Sequence, residues 1–406
     1  MSDLDFLAFD ADNHYYEAPD AFIRHVDPAM QRRCVEWCDI GGRKYHVVGG
    51  TVSHVVKNPT FDPVAPAGAL SDYFRGNPDG MNPLDALSKA NAIPLPPEYM
   101  MDRDARVDRM KGFGLEAVWL FPTLGMLYEE LLTHDVEAIC ALFGGFNRWV
   151  EEDWGFEYRD TIYAAPYLSL ADVDWACDEL DWAIAHGTRT IVMRPAAVPT
   201  REGMKNPFDE RFDPFWQRVN DGGVAVVIHA SDAGRSANGY ADRVFSASFA
   251  GGWKPSIAAF DIERAAEDWL LELMFNRMFD RFPNLRVASV ENGSTFLGDL
   301  VNKLDSQHSK MMQAYWGEHP VEQFRRHVWI NPFWEDRISD VLAVMGPDRV
   351  IFGSDWPHIE GMPAPLDYAV ELKECSEATQ RRILRDNAMA LNERRTSPPP
   401  EPAPVS

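Results

Sequence analysis

The sequence predicts an α/β protein folded as a closed (β/α)8 barrel of the TIM type. About eight short apolar segments, rich in β-branched and aromatic residues, alternate with amphipathic helical patterns. Alternating strands and helices favour a parallel sheet with right-handed crossovers, and eight repeats favour closure into a barrel. The alternative is an open doubly wound sheet, but no glycine-rich phosphate turn follows any predicted strand.

After a first strand near the start of the chain, the predicted strands and helices alternate at regular spacing from residue 102 onward. Strands are predicted at 6–9, 117–121, 162–167, 190–193, 224–228, 285–289, 328–331 and 350–352. Helices are predicted at 102–113, 136–149, 173–186, 214–221, 338–345 and, as the closing element, 364–391. A further long helix ends at 281–283, because Ile262, Ala266, Trp269, Leu270 and Leu273 recur at helical spacing.

A long irregular stretch, 22–100, separates the first strand from this regular part. It is rich in Pro, Gly and Asn and contains one predicted hairpin, 35–40 with 44–48 around Gly41 and Gly42. Because it lacks a helical core of its own, we interpret it as an insertion that covers the site within a single domain, 1–395. The Pro-rich end, 396–406, is predicted to be a disordered tail.

The composition narrows the classes of partner. A formal net charge of −24 argues against nucleic acid and against an anionic membrane surface. The five cysteines are odd in number and scattered, which suggests no disulfide framework. No apolar run approaches the roughly 18 residues of a membrane span, and no signal peptide is evident, so a cytoplasmic protein is expected.

Ligand-type side chains follow several of the predicted strands. They are Asp12 and His14 after the first strand, Arg194 after the fourth, His229 after the fifth, Glu291 after the sixth and Asp355 after the eighth. Period-two alternation places Asp10 on the same face as Asp12 and His14. Because the carboxyl ends of barrel strands converge on one rim, these groups predict a site for a divalent transition metal.

Several residues of this rim have more than one possible role. Glu291 can act as a proton shuttle, as a fifth ligand or as an orienting group for a ligand histidine. Arg194 clamps a substrate carboxylate or forms a structural salt bridge. His358 is catalytic or simply bonds the loop that carries Asp355. The tryptophans of the rim fit an aromatic ligand pocket or pack into the core; they are Trp329, Trp334 and Trp356.

These motifs resemble the amidohydrolase superfamily. Asp-x-His at 12–14, His229 and Ser-Asp-x-Pro-His at 354–358 are similar to the branch of aminocarboxymuconate-semialdehyde decarboxylase and the resorcylate-type decarboxylases, and the stretches 282–286 and 386–388 are typical of it. The resemblance implies that one metal ion is held by Asp12, His14, His229 and Asp355. It also implies that Asp355 moves protons.

Two departures from the family pattern bear on the metal. Asp12 stands where His is common, and Glu291 follows Val290 where many members carry His. More oxygen ligands make Mn²⁺ or Mg²⁺ as suitable as Zn²⁺. No lysine ends the fourth strand, where binuclear members carry a carboxylated one, so one metal ion per chain is expected.

Three functions follow from this sequence. The first is non-oxidative decarboxylation of a small carboxylated aromatic or enol acid, with Asp355 or Glu291 supplying the proton. The second is metal-dependent hydrolysis of an amide, ester, lactone or C–C ketone. The third is a barrel that has lost its chemistry and acts as a binding protein. Since superfamily members are often dimers, a homodimer is expected.

Overall fold

The computed structural model describes residues 4–56, 58–76, 80, 90–234, 257–310 and 313–403. Its strands, in chain order, are β1 (Ala8–Tyr15), β2 (Val35–Ile40), β3 (Arg43–Val48), β4 (Thr51–Val52), β5 (Leu115–Pro122), β6 (Ile162–Ala164), β7 (Thr190–Met193), β8 (Val198–Thr200), β9 (Gly203–Lys205), β10 (Ala225–His229), β11 (Val287–Val290) and β12 (Val328–Ile330).

The helices lie mainly between the parallel strands. The α-helices span Ser71–Phe74, Pro97–Met100, Arg103–Gly112, Gly125–Leu131, Val136–Asp153, Val173–Ala185, Asp213–Gly222, Asp261–Phe275, Met278–Arg281, Leu297–Lys310, Pro320–His327, Ile338–Met345, Glu377–Arg381 and Asn387–Asn392. Shorter 3-10 turns span Gln31–Arg33, Glu210–Phe212, Ile257–Phe260, Gln313–Tyr315, Pro347–Arg349 and Pro365–Leu372. Within the described part of the chain, no helix has the length and apolarity needed to cross a membrane.

Eight parallel segments form the barrel. One sheet has the order β1–β5–β6 and a second has the order β12–β11–β10–β7, all paired in parallel. Parallel bridges then join the two sheets. They are Tyr167 with Val192, Ile330 with Val350, and Asn13 with Trp356. The segment 350–356 thus stands between β12 and β1, and the predicted barrel is confirmed.

Two helix predictions are wrong in detail. The helix predicted to end at 281–283 is broken after Phe275, because Arg277 adopts a left-handed φ of 54°. The single closing helix predicted at 364–391 is a 3-10 turn and three short helical pieces. Its middle is a π-helical turn at Arg382–Asp386. There the carbonyl of Ile383 accepts a hydrogen bond from the amide of Phe352 at 3.0 Å, a partner outside the helix.

The insertion contains the predicted hairpin, β2 paired antiparallel with β3, and β4 adds a third strand. Residues 57, 77–79 and 81–89 of the insertion lie outside the described part. The described part contacts the loop that follows the eighth barrel segment: Gly68 N donates to His358 O at 2.9 Å and Leu70 N to Ile359 O at 2.7 Å.

The described residues of the predicted disordered tail, 396–403, form no helix or strand but contact the barrel. Arg349 Nη2 donates to Pro400 O at 2.6 Å, and Ala403 N donates to Asp348 Oδ2 at 2.8 Å. Arg326 also forms an ion pair with Glu401. These contacts attach the tail to the 3-10 turn that precedes the eighth barrel segment.

The eighth segment comes very close to β1 at Gly353. A Cβ added to Gly353 would lie 2.3 Å from Cβ of Asp12 and 2.8 Å from Nδ2 of Asn331, distances that real Cβ atoms do not show. Glycine at 353 therefore permits the backbone approach that places residues 354 and 355 beside Asp12.

We predict that Gly353→Ala lowers the free energy of unfolding by about 1–3 kcal/mol, because a packed neighbour must move to admit the methyl group. Urea unfolding followed by circular dichroism measures this. Gly298→Ala is the control, since an added Cβ there meets nothing within 4 Å and alanine favours a helix. Equal stability of Gly353→Ala and the parent would contradict the close approach.

Candidate metal centre

A bulge in β1 aims the first two candidate ligands. Asp10 pairs with Val118 and Asn13 with Leu120, so β1 carries one extra residue between these pairs. The bulge breaks the period-two pattern, and the prediction that Asp10 shares a face with Asp12 and His14 is wrong. Asp10 instead turns to Ser354, whose hydroxyl and amide donate to it at 2.6 and 3.0 Å.

Four buried side chains converge at the carboxyl ends of the barrel strands. The group consists of Asp12, His14, His229 and Glu291, each offering one ligand atom, and these atoms all lie within 4.8 Å of one another. His229 Nε2 lies 3.4 Å from Asp12 Oδ1 and 3.3 Å from Glu291 Oε2. His14 Nε2 lies 3.3 Å from Asp12 Oδ1. The convergence predicted from the strand ends is present.

The two histidines are held with the same nitrogen facing the cluster. Nδ1 of His14 is 3.2 Å from the carbonyl of Pro122, and Nδ1 of His229 is 3.0 Å from the carbonyl of Ala230. Because a carbonyl can only accept, each Nδ1 is the N–H, and each Nε2 presents a lone pair to the centre. Carbonyl partners of this kind orient histidines that ligate metals.

Asp355 stands beside this group, in contact with two histidines. Its Oδ1 is 3.4 Å from Nε2 of His14 and 2.6 Å from Nδ1 of His358. The ring of His358 stacks on that of His14 with centroids 4.0 Å apart. Nε2 of His358 is 2.8 Å from Oγ1 of Thr123, and that hydroxyl donates to the carbonyl of Tyr15.

Both acids that end barrel segments have strained backbones. Glu291 has φ 56° and Asp355 has φ 55°, in the left-handed region that glycine or asparagine normally occupies. Asn331 supports Glu291, because its Oδ1 accepts from the amide of Glu291 at 3.2 Å. Strain of this kind clusters at functional sites, where the surrounding structure holds it in place.

The acids of the centre differ in how readily they ionise. Burial, together with the charge of Asp12, raises the pKa of Glu291 to about 8. Burial also raises the pKa of Asp355 well above its usual range, and the nearby Glu291 raises it further. Burial alone would raise the pKa of Asp12, but hydrogen bonds and positive charge from His14 and His229, when their rings are protonated, hold it below its ordinary value. Without a cation, the centre therefore keeps protons on Glu291 and Asp355.

The residues present fit a divalent metal ion. Nε2 of His14 is buried and has no hydrogen-bond partner among the described residues, although its lone pair points into the cluster. An unsatisfied buried nitrogen is costly unless a ligand completes it. Two imidazoles with carboxylates form a donor set for Mn²⁺ or Zn²⁺.

Arg194 does not lie among these residues. Its Nε is 3.0 Å from Oε2 of Glu129, its Nη1 is 2.5 Å from Oε2 of Glu130, and Nη1 also donates to the carbonyl of Asp232 at 2.9 Å. The structure shows the salt bridge; Nη2 of Arg194 has no hydrogen-bond partner among the described residues, so the substrate clamp stays a prediction. The arginine is buried between two acids that the helix Gly125–Leu131 supplies.

The three tryptophans do not form one pocket. Trp356 packs against Tyr99 and Phe113 behind the site, and Arg349 lies over the ring of Trp329 near the start of the eighth segment. Trp334 is close to the site loop, since its Nε1 donates to Glu360 O at 3.3 Å.

One site residue that sequence reasoning missed is Glu360. It forms a second group with Glu291 and Asp355, with ligand-type oxygens within 4.8 Å of one another. Burial and the charge of Glu291 raise the pKa of Glu360 to about 7. It follows no strand and stands two residues beyond His358, so the rule that located the other acids could not find it.

Comparisons with known proteins agree with this geometry. A family model described as amidohydrolase matches residues 121–391. A solved amidohydrolase from Mycobacterium avium subsp. paratuberculosis K-10 is 39% identical, with a TM-score of 0.88, covering 96% of this chain and all of that one.

Two further relatives are more distant. A 2-amino-3-carboxymuconate-6-semialdehyde decarboxylase from Dictyostelium discoideum is 24% identical over 196 residues, 46% of this chain and 49% of the relative, so the match spans about half of that protein's length. A dihydroxybenzoic acid decarboxylase from Polaromonas sp. JS666, solved with manganese and 2-nitroresorcinol, shares the fold at 14% identity and a TM-score of 0.58, covering 95% of this chain and 97% of that one.

We predict that metal uptake by the metal-free protein releases protons and strengthens as pH rises toward 8. A carboxyl whose pKa is raised to about 8 is mostly protonated at pH 7 and must lose its proton to bind a cation. Calorimetry of Mn²⁺ binding in buffers of different ionisation enthalpy counts the protons. Glu291→Gln should release fewer, and equal release by this variant and the parent would contradict the assignment.

Proposed function

This chain belongs to the amidohydrolase family, and on that premise we propose that it is a metal-dependent enzyme that removes CO₂ from small carboxylated aromatic or enol acids. The observation that carries the proposal is a buried acid, Asp355, whose Oδ1 lies 2.6 Å from Nδ1 of His358 beside the metal-ligand cluster. Non-oxidative decarboxylation needs such a proton donor, because hydrogen replaces the carboxylate on carbon.

The hydrogen bonds around His358 support the presence of that proton. The hydroxyl of Thr123 donates its hydrogen to the carbonyl of Tyr15. The hydroxyl oxygen must therefore accept from Nε2–H of His358. Neutral His358 then presents the lone pair of Nδ1 to Oδ1 of Asp355, 2.6 Å away. Neither atom has a hydrogen-bond partner of regular geometry among the described residues, and we propose that a proton between them relieves the close approach. Burial lowers the pKa of His358 and raises that of Asp355, which places the proton on Asp355.

We propose that the ion is held by Asp12, His14 and His229 with Glu291 and Asp355 completing the set. Oxygen ligands outnumber nitrogens, which favours Mn²⁺ over Zn²⁺, and the Polaromonas neighbour was solved with manganese. When bound, the cation would supply charge stabilisation for the substrate carboxylate and an adjacent hydroxyl or oxo group.

The proposed chemistry is balanced by the residues of the site. Asp355 gives its proton to the carbon that bears the carboxylate, and the pair of electrons in the C–CO₂ bond returns to the ring or enol as CO₂ leaves. His358, held by Thr123, keeps the protonated Asp355 in place. Solvent then restores the proton.

We propose that the insertion, residues 22–100, covers this site and shapes what it accepts. Its amides at Gly68 and Leu70 bond the carbonyls of His358 and Ile359, and the guanidinium of Arg75 lies 4.4 Å from the ring centroid of Trp334. These contacts support a role for Trp334 in binding an aromatic substrate. Because Nε and Nη1 of Arg194 are paired with two acids, we propose that the metal is the main partner of the substrate's carboxylate.

We predict that the protein loaded with Mn²⁺ releases CO₂ from a hydroxybenzoic acid whose carboxylate is ortho to a hydroxyl, and that the product made in D₂O carries one deuterium at the vacated carbon. Asp355→Asn should lower kcat by about 100-fold or more, because it removes the proton donor. Headspace CO₂ and mass spectrometry measure both.

The same assay in H₂¹⁸O separates decarboxylation from hydrolysis. Screening should include amides, esters and lactones of the same acids. Turnover of one of these with ¹⁸O in the product, and no CO₂ from any acid, would contradict the decarboxylase proposal and support hydrolysis.

A further inference from the structure

A buried arginine lies directly behind the metal cluster. Arg106, in the helix Arg103–Gly112, is 0% exposed and donates to the carbonyl of His14 at 2.5 Å, to the carbonyl of Glu98 at 3.0 Å and to Oδ1 of Asn13. Its guanidinium lies 4.4 Å from the ring centroid of Trp356. No carboxylate is within ion-pair distance of it among the described residues, which is unusual for a buried cation.

Asn13 connects this cation to a buried acid. While Oδ1 of Asn13 accepts from Arg106, its Nδ2 donates to Oδ2 of Asp10 at 2.7 Å. Asp10 in turn accepts from the hydroxyl and the amide of Ser354. The amide side chain of Asn13 accepts at one end and donates at the other. The four residues Arg106, Asn13, Asp10 and Ser354 form one continuous chain of hydrogen bonds, which we name the clasp.

The clasp encloses the residues that carry the ligands. Asp12 lies between Asp10 and Asn13, and Asp355 directly follows Ser354. The amide of Asp355 also donates to the carbonyl of Asp12 at 2.8 Å, and Arg106 holds the carbonyl of His14 itself. A shift anywhere in the clasp therefore moves the backbone of three candidate ligands. Metal–ligand distances tolerate shifts of only about 0.2 Å, so such a movement weakens binding.

We propose that Arg106 is a positioning residue of the metal centre, acting through Asn13 and Asp10 to hold the end of β1 against residues 354 and 355 at the separation that a metal ion requires. This inference rests on the metal site of the proposed function but not on the reaction. It assigns to Arg106 and Asn13 a role in metal affinity, beyond the stability that any buried polar network provides.

The chain offers a matched control at the opposite end of the barrel. Arg286 is 1% exposed and, like Arg106, donates to backbone carbonyls, those of Gly223 at 2.5 Å and Leu391 at 3.1 Å. It precedes β11, and no metal-site residue contacts it among the described residues. Replacing Arg286 therefore measures how much stability is lost when a buried arginine is changed away from the metal centre.

The test compares Arg106→Lys, Asn13→Ser and Arg286→Lys with the parent. Each protein is stripped of metal and its Mn²⁺ dissociation constant is measured by electron paramagnetic resonance of the free ion, alongside the thermal midpoint of the metal-free form. Loss of a residue that orients ligands typically weakens binding by about 10- to 100-fold. We expect that loss in Arg106→Lys and Asn13→Ser, while Arg286→Lys stays within about twofold of the parent.

The outcomes separate the clasp from the proposed reaction. Asn13→Ser keeps the buried charge of Arg106, so it remains informative if Arg106→Lys does not fold. Unchanged Mn²⁺ affinity in the folded clasp variants, with thermal midpoints lowered as in Arg286→Lys, would overturn the positioning role. Weakened affinity supports the clasp even if no acid tested is decarboxylated, since that failure bears only on the reaction. A parent protein that takes up no metal would overturn both.

Discussion

The structure of the site depends on the contact between the end of β1 and the eighth barrel segment. Asp12 and Asp355 are far apart in sequence, yet the amide of Asp355 bonds the carbonyl of Asp12 at 2.8 Å. Gly353 permits this approach because any side chain there would meet Asp12. Asp355 adopts its strained φ of 55° within this contact, because the next residue, Trp356, still bridges to Asn13 of β1.

Charge is the second constraint on the centre. Four carboxyl groups lie close together in the site, those of Asp12, Glu291, Asp355 and Glu360. Arg194, the one arginine predicted at a strand end, is paired with two other acids. Four ionised carboxylates cannot share such a region, so the centre must hold protons, a cation or both. A divalent ion together with a retained proton satisfies this requirement, which is consistent with the function proposed above.

The sequence predicted the barrel and the convergence of polar residues at its strand ends, because such residues meet at one rim of a closed parallel sheet. The resemblance implied Asp12, His14, His229 and Asp355 as ligands, whereas the structure groups Glu291 with the first three. The sequence misplaced Asp10, since a one-residue bulge leaves no mark in the pattern of residue types. It left Arg194 open, because its partners Glu129 and Glu130 belong to a short helix that strand ends do not reveal. Glu360 was missed because it follows no strand: it lies in the loop that the insertion contacts, and strand ends do not reveal that loop.

The loop that follows the eighth barrel segment connects the insertion to Asp355. The backbone of His358 and Ile359 is bonded by Gly68 and Leu70 of the insertion, while the side chain of His358 contacts Asp355. If the insertion shapes the substrate pocket, as we propose, a change in it that moves this loop also moves His358 and its contact with Asp355. Under the proposed function, substrate range and proton transfer are therefore coupled through this loop.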